Sequence, residues 1–219
     1  MSKNIQNPKT QTQTQTQTQT QAPQKESLKI KEEKKMPIIV LDAGHAGRGI
    51  DPGAVGPNGT LESDVVFDIM NKLGNMLQAD GYGVVYTRQS YSDLQSDDLN
   101  NRVEIANNSC ADIFISGHCN AAANEAAQGT ETYSFTNGSA NSAKLANLCQ
   151  QELISELGTV DRGVKTANYM VLKYTNMPAI LVEFAFISNA AEEALLCDDT
   201  YKTRCAKALY KGVYRYFNE

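Results

Sequence analysis

Short apolar segments alternate with segments of helical periodicity along most of the chain, and this alternation limits the possible fold more than any other feature. Continuous apolar runs indicate buried strands, whereas apolar residues at every third or fourth position indicate helices. The pattern predicts strands at 37–42, 83–87, 112–117, 129–135, 169–172 and 179–182, and helices at 61–80, 99–107, 143–157 and 201–217. Alternating strands and helices predict an α/β three-layer sandwich, with a mostly parallel twisted central sheet and helices on both faces.

The first 35 residues have a composition that does not support a fold. Residues 11–20 alternate strictly between Gln and Thr, and residues 25–35 are mostly Lys and Glu. Such segments bury too little apolar surface to offset the entropy lost on folding. We therefore predict a disordered low-complexity tail over 1–35 and a single folded domain over 36–219.

Neither a secretory signal nor a membrane span is indicated by the sequence. The tail lacks the apolar run of a signal peptide, and no segment approaches the roughly 20 apolar residues of a membrane span. We therefore expect synthesis in the cytoplasm without a leader, and no membrane insertion. The tail carries a charge of +4, which leaves −9 on the remainder of a chain whose net charge is −5. This acidic domain argues against a nucleic-acid partner.

The five cysteines are odd in number and contain no CxxC pair. They are Cys110, Cys119, Cys149, Cys197 and Cys205. Neither a disulfide framework nor a sulfur-rich zinc site is indicated, and we expect reduced, mostly buried thiols.

The only two histidines of the chain, His45 and His118, each follow a predicted strand. Loops at the carboxyl ends of parallel strands converge on one edge of a sheet, so we expect the two imidazoles to share a site. A catalytic zinc keeps about three protein ligands, and the third must then be a carboxylate or a thiolate. Glu62, in the first turn of a helix, is favoured over Cys119, whose side chain on an extended strand would face away from His118. The alternative for Glu62 is an ordinary acidic residue stabilised by the helix dipole.

Glu183 directly follows the apolar run 179–182. A carboxylate in a buried strand is costly unless it is paired or used, and apolar neighbours would raise its pKa toward the range that suits a general base. The alternative is a strand that ends at Val182 and leaves Glu183 in solvent. Three further polar residues have open roles: Asn120 as a ligand of a substrate carbonyl or a turn residue, and Arg102 and Lys165 as partners of substrate carboxylates or as ordinary surface or helix-pairing residues.

Several sequence blocks occur in a characteristic order and spacing. They are DAGH at 42–45, DPGA at 51–54, GTLE at 59–62, SGHCNA at 116–121, RGVK at 162–165, MPAILVE at 177–183 and ISN at 187–189. Together they resemble the amidase 3 family of N-acetylmuramoyl-L-alanine amidases, found among bacterial autolysins, spore-associated hydrolases and phage endolysins. The resemblance covers 37–217. Ala43, Gly117 and Ala185 depart from the usual Pro, apolar residue and Gly, and these departures concern loop geometry more than function.

The resemblance implies Zn²⁺ bound by His45, Glu62 and His118, with Glu183 as the catalytic acid/base. It implies a hydrolase whose partner is peptidoglycan and which acts on the bacterial cell wall, either released from the cell as a phage-type endolysin or extracellular as a wall hydrolase. We expect the protein to be a monomer. The bond cut would be the amide between the lactyl group of N-acetylmuramic acid and the L-alanine of the stem peptide. Two alternatives remain: a zinc carboxypeptidase or peptide amidase on the same scaffold, and a non-catalytic wall-binding module.

Overall fold

The structure, a computed structural model, describes residues 1–4, 35–91 and 98–219. The predicted tail over 1–35 lies almost wholly outside the described residues, so the tail and the domain boundary after it stay predictions. The elements in chain order are β1 (Ile38–Ala43), α1 (Glu62–Ala79), β2 (Gly83–Tyr86), α2 (Leu99–Asn108), β3 (Ile113–Asn120), β4 (Thr130–Phe135), α3 (Ala140–Leu157), β5 (Asp161–Ala167), α4 (Met170–Lys173), β6 (Ala179–Phe186), α5 (Ala190–Cys197) and α6 (Asp199–Asn218).

The six strands form one sheet in the order β2-β1-β3-β6-β4-β5. Four of the five neighbouring pairs are parallel, and β4 runs antiparallel to β6. Helices α1, α3 and α6 pack together on one face, and α2 packs with α4 on the other. The predicted α/β sandwich with a mostly parallel sheet is confirmed. No helix within the described ranges is both long and apolar enough to cross a membrane.

Alternate residues of the central strands β1, β3 and β6 supply the two cores of the sandwich. In β1, Ile39 and Leu41 join the apolar cluster of α1, α3 and α6, whereas Val40 joins the cluster of α2 and α4. A strand that is covered on both faces needs apolar residues at every position, and this requirement explains the continuous apolar runs. Counting by twos from Val40 along neighbouring strands places His118 and Glu183 on the face covered by α2 and α4.

The predicted strand at 169–172 is wrong, because Met170–Lys173 form the single-turn helix α4. Val171 and Leu172 are buried against the sheet in this turn, and four apolar residues do not distinguish a buried strand from a buried helix. The sequence pattern also misses β5 and α5. Strand β5 lies at the edge of the sheet and is half exposed, so it carries no apolar run that could reveal it.

Strands β3 and β6 both extend beyond their predicted ends. His118 and Glu183 were expected just beyond a strand, but they lie inside β3 and β6 and are direct neighbours in the parallel register of the two strands. The strands continue because these polar side chains point into a cavity beside the sheet, where no apolar partner is required. His45 does lie in a loop, two residues after the end of β1.

Candidate metal centre and active site

Three side chains from three different elements meet at the carboxyl ends of β1 and β3. His45 comes from the loop after β1, Glu62 from the first residue of α1, and His118 from β3. One potential ligand atom from each residue lies within 4.8 Å of the other two. In the described part of the chain, no other group of three His, Cys, Asp or Glu side chains converges in this way.

The Glu62 carboxylate lies between the two imidazole rings. Its Oε2 is 3.1 Å from Nε2 of His45, and its Oε1 is 3.0 Å from Nδ1 of His118. Burial alone would raise the pKa of Glu62, but the hydrogen bonds to His118 and His45 outweigh burial and hold this pKa well below its usual range. Burial likewise lowers the pKa of His45, and the contacts with Glu62 and Asp51 reverse this effect and raise it to about 9.

Two of these three side chains, His45 and Glu62, are held in place by further contacts. Nδ1 of His45 lies 2.8 Å from Oδ2 of Asp51, which leaves Nε2 facing Glu62. The two oxygens of Glu62 also accept hydrogen bonds from the backbone N–H groups of Ala54 and Cys119, at 2.8 and 2.9 Å. A carboxylate behind a ligating histidine is a common device for fixing the orientation of the ring. The sequence reasoning gave Asp51 no role, although it lies in one of the blocks quoted above.

The thiol of Cys119 does not take part in the group. Cys119 lies in β3 directly after His118, so its side chain points to the opposite face and joins the apolar cluster of α1, α3 and α6. Burial raises the pKa of this thiol well above its usual range, which disfavours the thiolate that a metal requires. Glu62 is only 4% exposed, and its contacts with both histidines go beyond what a helix-capping acid needs.

Two glycines leave just enough room for the histidine rings. A Cβ added at Gly44 would overlap with the ring of His118, and one added at Gly53 would lie 2.6 Å from the ring of His45. We expect Gly44→Ala to displace the His118 ring and to lower hydrolytic activity about a hundredfold, since a shift of about 1 Å at a catalytic site has an effect of this size. Turnover of peptidoglycan, the substrate that the family resemblance implies, and the metal content of the purified variant test this expectation.

Gly158→Ala is the matched control for that substitution. Gly158 ends α3 with a φ of +70°, so alanine strains the backbone there, but nothing lies within 4 Å of the added Cβ. We expect this variant to lose some stability and to keep its activity. Equal activity losses in both variants would contradict a specific effect of Gly44 on the histidine ring.

Glu183 lies beside this group with an uncommitted carboxylate oxygen. Its Oε2 is buried and has no hydrogen-bond partner among the described residues. Burial, together with the nearby charges of Glu62 and Glu131, raises the pKa of Glu183 to about 7, even though His118 acts in the opposite direction. A carboxyl group with this pKa is able both to accept and to release a proton near neutral pH.

A cavity of about 250 Å³ gives access to the group. Beside His45, His118 and Glu183, its wall contains Leu99, Tyr169, Met170, Val171 and Leu181. The cavity therefore combines proton-transfer and metal-binding groups on the sheet with an apolar wall from α2 and α4. This combination is typical of a pocket that binds and converts a small part of a larger substrate.

Glu131, on the strand next to Glu183, accepts hydrogen bonds from the side chains of Asn120, Arg162 and Lys165. It lies opposite Glu183 in the antiparallel register of β4 and β6. Asn120 donates to its Oε1 at 2.8 Å, while Arg162 and Lys165 donate to its Oε2 at 2.7 and 2.5 Å. Asn120 and Lys165, for which the sequence left a substrate-binding role open, thus bind a carboxylate of the chain itself.

Comparison with known proteins gives a consistent result. A sequence model described as N-acetylmuramoyl-L-alanine amidase, of the family Amidase_3, matches residues 39–215. N-acetylmuramoyl-L-alanine amidase LytC of Bacillus subtilis strain 168 is 39% identical over 196 residues, which cover 87% of this chain and 38% of that protein. The chain thus spans well under half the length of LytC. The germination-specific N-acetylmuramoyl-L-alanine amidase of the same organism is 34% identical, with coverage of 83% and 80%.

Solved structures show the same likeness. The crystal structure of N-acetylmuramoyl-L-alanine amidase from Clostridium difficile 630 superposes with a TM-score of 0.80 at 31% identity. The match covers 85% of this chain and 99% of that one.

Proposed function

Because the chain belongs to the amidase 3 family of N-acetylmuramoyl-L-alanine amidases, we propose that its domain is a zinc-dependent peptidoglycan hydrolase. The bond cut is the amide between the lactyl group of N-acetylmuramic acid and the L-alanine of the stem peptide. The observation that carries this proposal is the uncommitted, buried oxygen of Glu183, whose residue lines the same cavity as His45 and His118, the two imidazoles that meet at Glu62. We further propose that the domain acts as a monomer on the bacterial cell wall, with no nucleic-acid partner.

The donor set supports zinc as the metal. Two imidazole nitrogens and one carboxylate are a ligand set of catalytic zinc sites, which keep a further position open for water or substrate. The pairing of Nδ1 of His45 with Asp51 supports its orientation as a neutral ligand through Nε2. We therefore assign His45, Glu62 and His118 as the residues that hold the ion.

The chemistry divides between the ion and Glu183. Zinc at such a site supplies a Lewis acid that polarises the scissile carbonyl and makes water acidic near pH 7. Glu183 accepts the proton of the attacking water with its free oxygen, and it then delivers this proton to the nitrogen of the departing L-alanine. Burial raises the pKa of Glu183 toward neutrality. The carboxylate is then basic enough to accept the proton, and the carboxylic acid is acidic enough to release it. The apolar wall of α2 and α4 keeps bulk water away from the reacting groups.

One feature of the cavity favours an amidase over a zinc carboxypeptidase. A carboxypeptidase needs a cation that is available to the terminal carboxylate of its substrate. Among the described residues that line the cavity, Arg102 is the one Lys or Arg, and it is 1% exposed and paired with Asp42 at 2.6 Å. The uncommitted oxygen of Glu183 likewise argues against a non-catalytic wall-binding module, which has no need for an unpaired buried acid.

Mass spectrometry of the fragments released from purified peptidoglycan tests the proposal, with and without a chelator. We expect intact stem peptides that begin with a free L-alanine, together with glycan chains that have lost their peptides, and we expect the chelator to stop the release. Shortened stem peptides still attached to muramic acid would identify a carboxypeptidase instead. Binding to the wall without release of any fragment would identify the non-catalytic module.

A further inference from the structure

Two buried arginines lie under the loop that carries His45. Arg88 follows β2, Arg102 lies in α2, and each side chain is only 1% exposed. Through its two terminal nitrogens, Arg102 donates to the carbonyl of Ala43 at 2.8 Å and to the carbonyl of His45 at 2.5 Å. The charge of Arg102 is balanced by the buried carboxylate of Asp42, at 2.6 Å.

Arg88 holds the same loop from a second direction. Its Nη2 donates to the carbonyl of Gly44 at 3.1 Å and to that of Ser63 at 2.8 Å. Ser63 directly follows the second proposed ligand, Glu62. Arg88 thus ties the loop of the first ligand to the helix of the second, and the two arginines together bind three successive carbonyl groups, those of residues 43, 44 and 45.

The conformation of His45 shows why this loop needs such support. His45 has a φ of +65°, in the left-handed region that residues with a Cβ rarely adopt. Glu62 and His118 lie in regular elements, whereas His45 lies in an irregular loop between β1 and α1. Its backbone carbonyl points to Arg102 while its ring points to Glu62. Without the guanidinium groups, the three carbonyls would be buried with fewer donors, and the loop would relax away from this turn.

We propose that Arg88 and Arg102 are positioning residues for the metal: by fixing the left-handed turn at His45, they hold its Nε2 where the metal binds and thereby set the metal affinity. This inference rests on the proposed metal centre. It differs from a purely structural role in one measurable respect. Residues that only stabilise the fold affect the metal-free and metal-loaded protein equally, whereas positioning residues change the free energy of metal binding itself.

The experiment measures zinc affinity by competition with a chromophoric chelator, in parallel with thermal unfolding with and without zinc. For Arg102→Met and Arg88→Met, in full-length protein that circular dichroism shows to be folded, we expect zinc to bind about 10- to 100-fold more weakly than to the wild type. We also expect the rise in Tm on addition of zinc to shrink. Arg204→Met is the matched control, because Arg204 also donates to a backbone carbonyl, that of Glu156 at the end of α3, away from the site. This control should keep the wild-type zinc affinity.

Lysine variants preserve the test if the methionine variants do not fold. Arg102→Lys keeps the charge opposite Asp42 but cannot reach two carbonyls with a planar fork, so its zinc affinity should fall between those of wild type and Arg102→Met. The proposal is overturned if folded variants lose Tm equally with and without zinc and keep the wild-type zinc affinity. A wild-type protein that binds no zinc would overturn the metal centre as well, which separates the two failures.

Discussion

Replacement of Glu183 by alanine is expected to slow peptidoglycan hydrolysis by roughly 10²- to 10⁴-fold, the usual contribution of a general acid/base, while zinc remains bound. The loss follows from the position of the carboxylate. Its Oε2 is buried beside His118 without a hydrogen-bond partner among the described residues, so the variant loses the carboxylate that takes the proton. Zinc should remain because His45 and Glu62 keep their contacts with Asp51, Ala54 and Cys119, and His118 keeps its contact with Glu62.

The isosteric change Glu183→Gln separates proton transfer from packing. Glutamine fills the same space but cannot accept and return a proton, so its activity should be as low as that of the alanine variant. Glu156→Gln provides the control, since Glu156 pairs with Lys207 and Lys211 on the surface, away from the site, and its loss should leave the rate unchanged. Measurements are the initial rate of fragment release and the zinc content of each protein.

Two results would contradict the role given to Glu183. If Glu183→Gln kept more than about a tenth of the wild-type rate, the carboxylate would contribute far less than a general acid/base does. If both variants lost their zinc, Glu183 would belong to the metal site instead of the proton-transfer step.

The positions of His45, His118 and Glu183 were predictable from sequence because each is tied to an apolar strand. A buried strand is evident as a local run of apolar residues. In a parallel sheet the carboxyl ends of the strands lie at the same edge, so residues that follow such runs are expected to lie close together. The exact ends of β3 and β6 were not predictable, since their last residues are polar and face a cavity instead of a core. The continuation of β3 and β6 is evident only from the backbone pairing between the two strands.

Contacts that depend on the order of the strands lie beyond the reach of a single sequence. Glu131 meets Glu183 only because β4 inserts antiparallel beside β6, and nothing in the segment 130–135 encodes that neighbour. The buried arginines are a second case. Arg88 and Arg102 look like surface residues in sequence, because a buried arginine is recognisable only once its carbonyl partners are placed around it.

Glu62 is the ligand with the weakest support from sequence, since the family resemblance singles it out and helix periodicity does not. The structure brings its carboxylate to 3.1 and 3.0 Å from the two rings. Glu62→Ala, His45→Ala and His118→Ala are therefore each expected to lose both zinc and hydrolysis. Loss of the metal removes several kcal/mol of stabilisation in the transition state, which corresponds to a rate decrease of roughly a thousandfold or more.

Cys119→Ala is the control that separates the two candidates for the third ligand. Its thiol lies on the opposite face of β3, so this variant should keep a full complement of zinc and most of its activity. Zinc content by elemental analysis, and recovery of wild-type activity when zinc is returned after chelation, are the measurements. Stoichiometric zinc in Glu62→Ala, combined with zinc loss in Cys119→Ala, would transfer the third ligand to the thiolate. The contacts of Glu62 with both rings predict the reverse result, because two imidazoles hold a divalent cation less firmly without the anionic ligand between them.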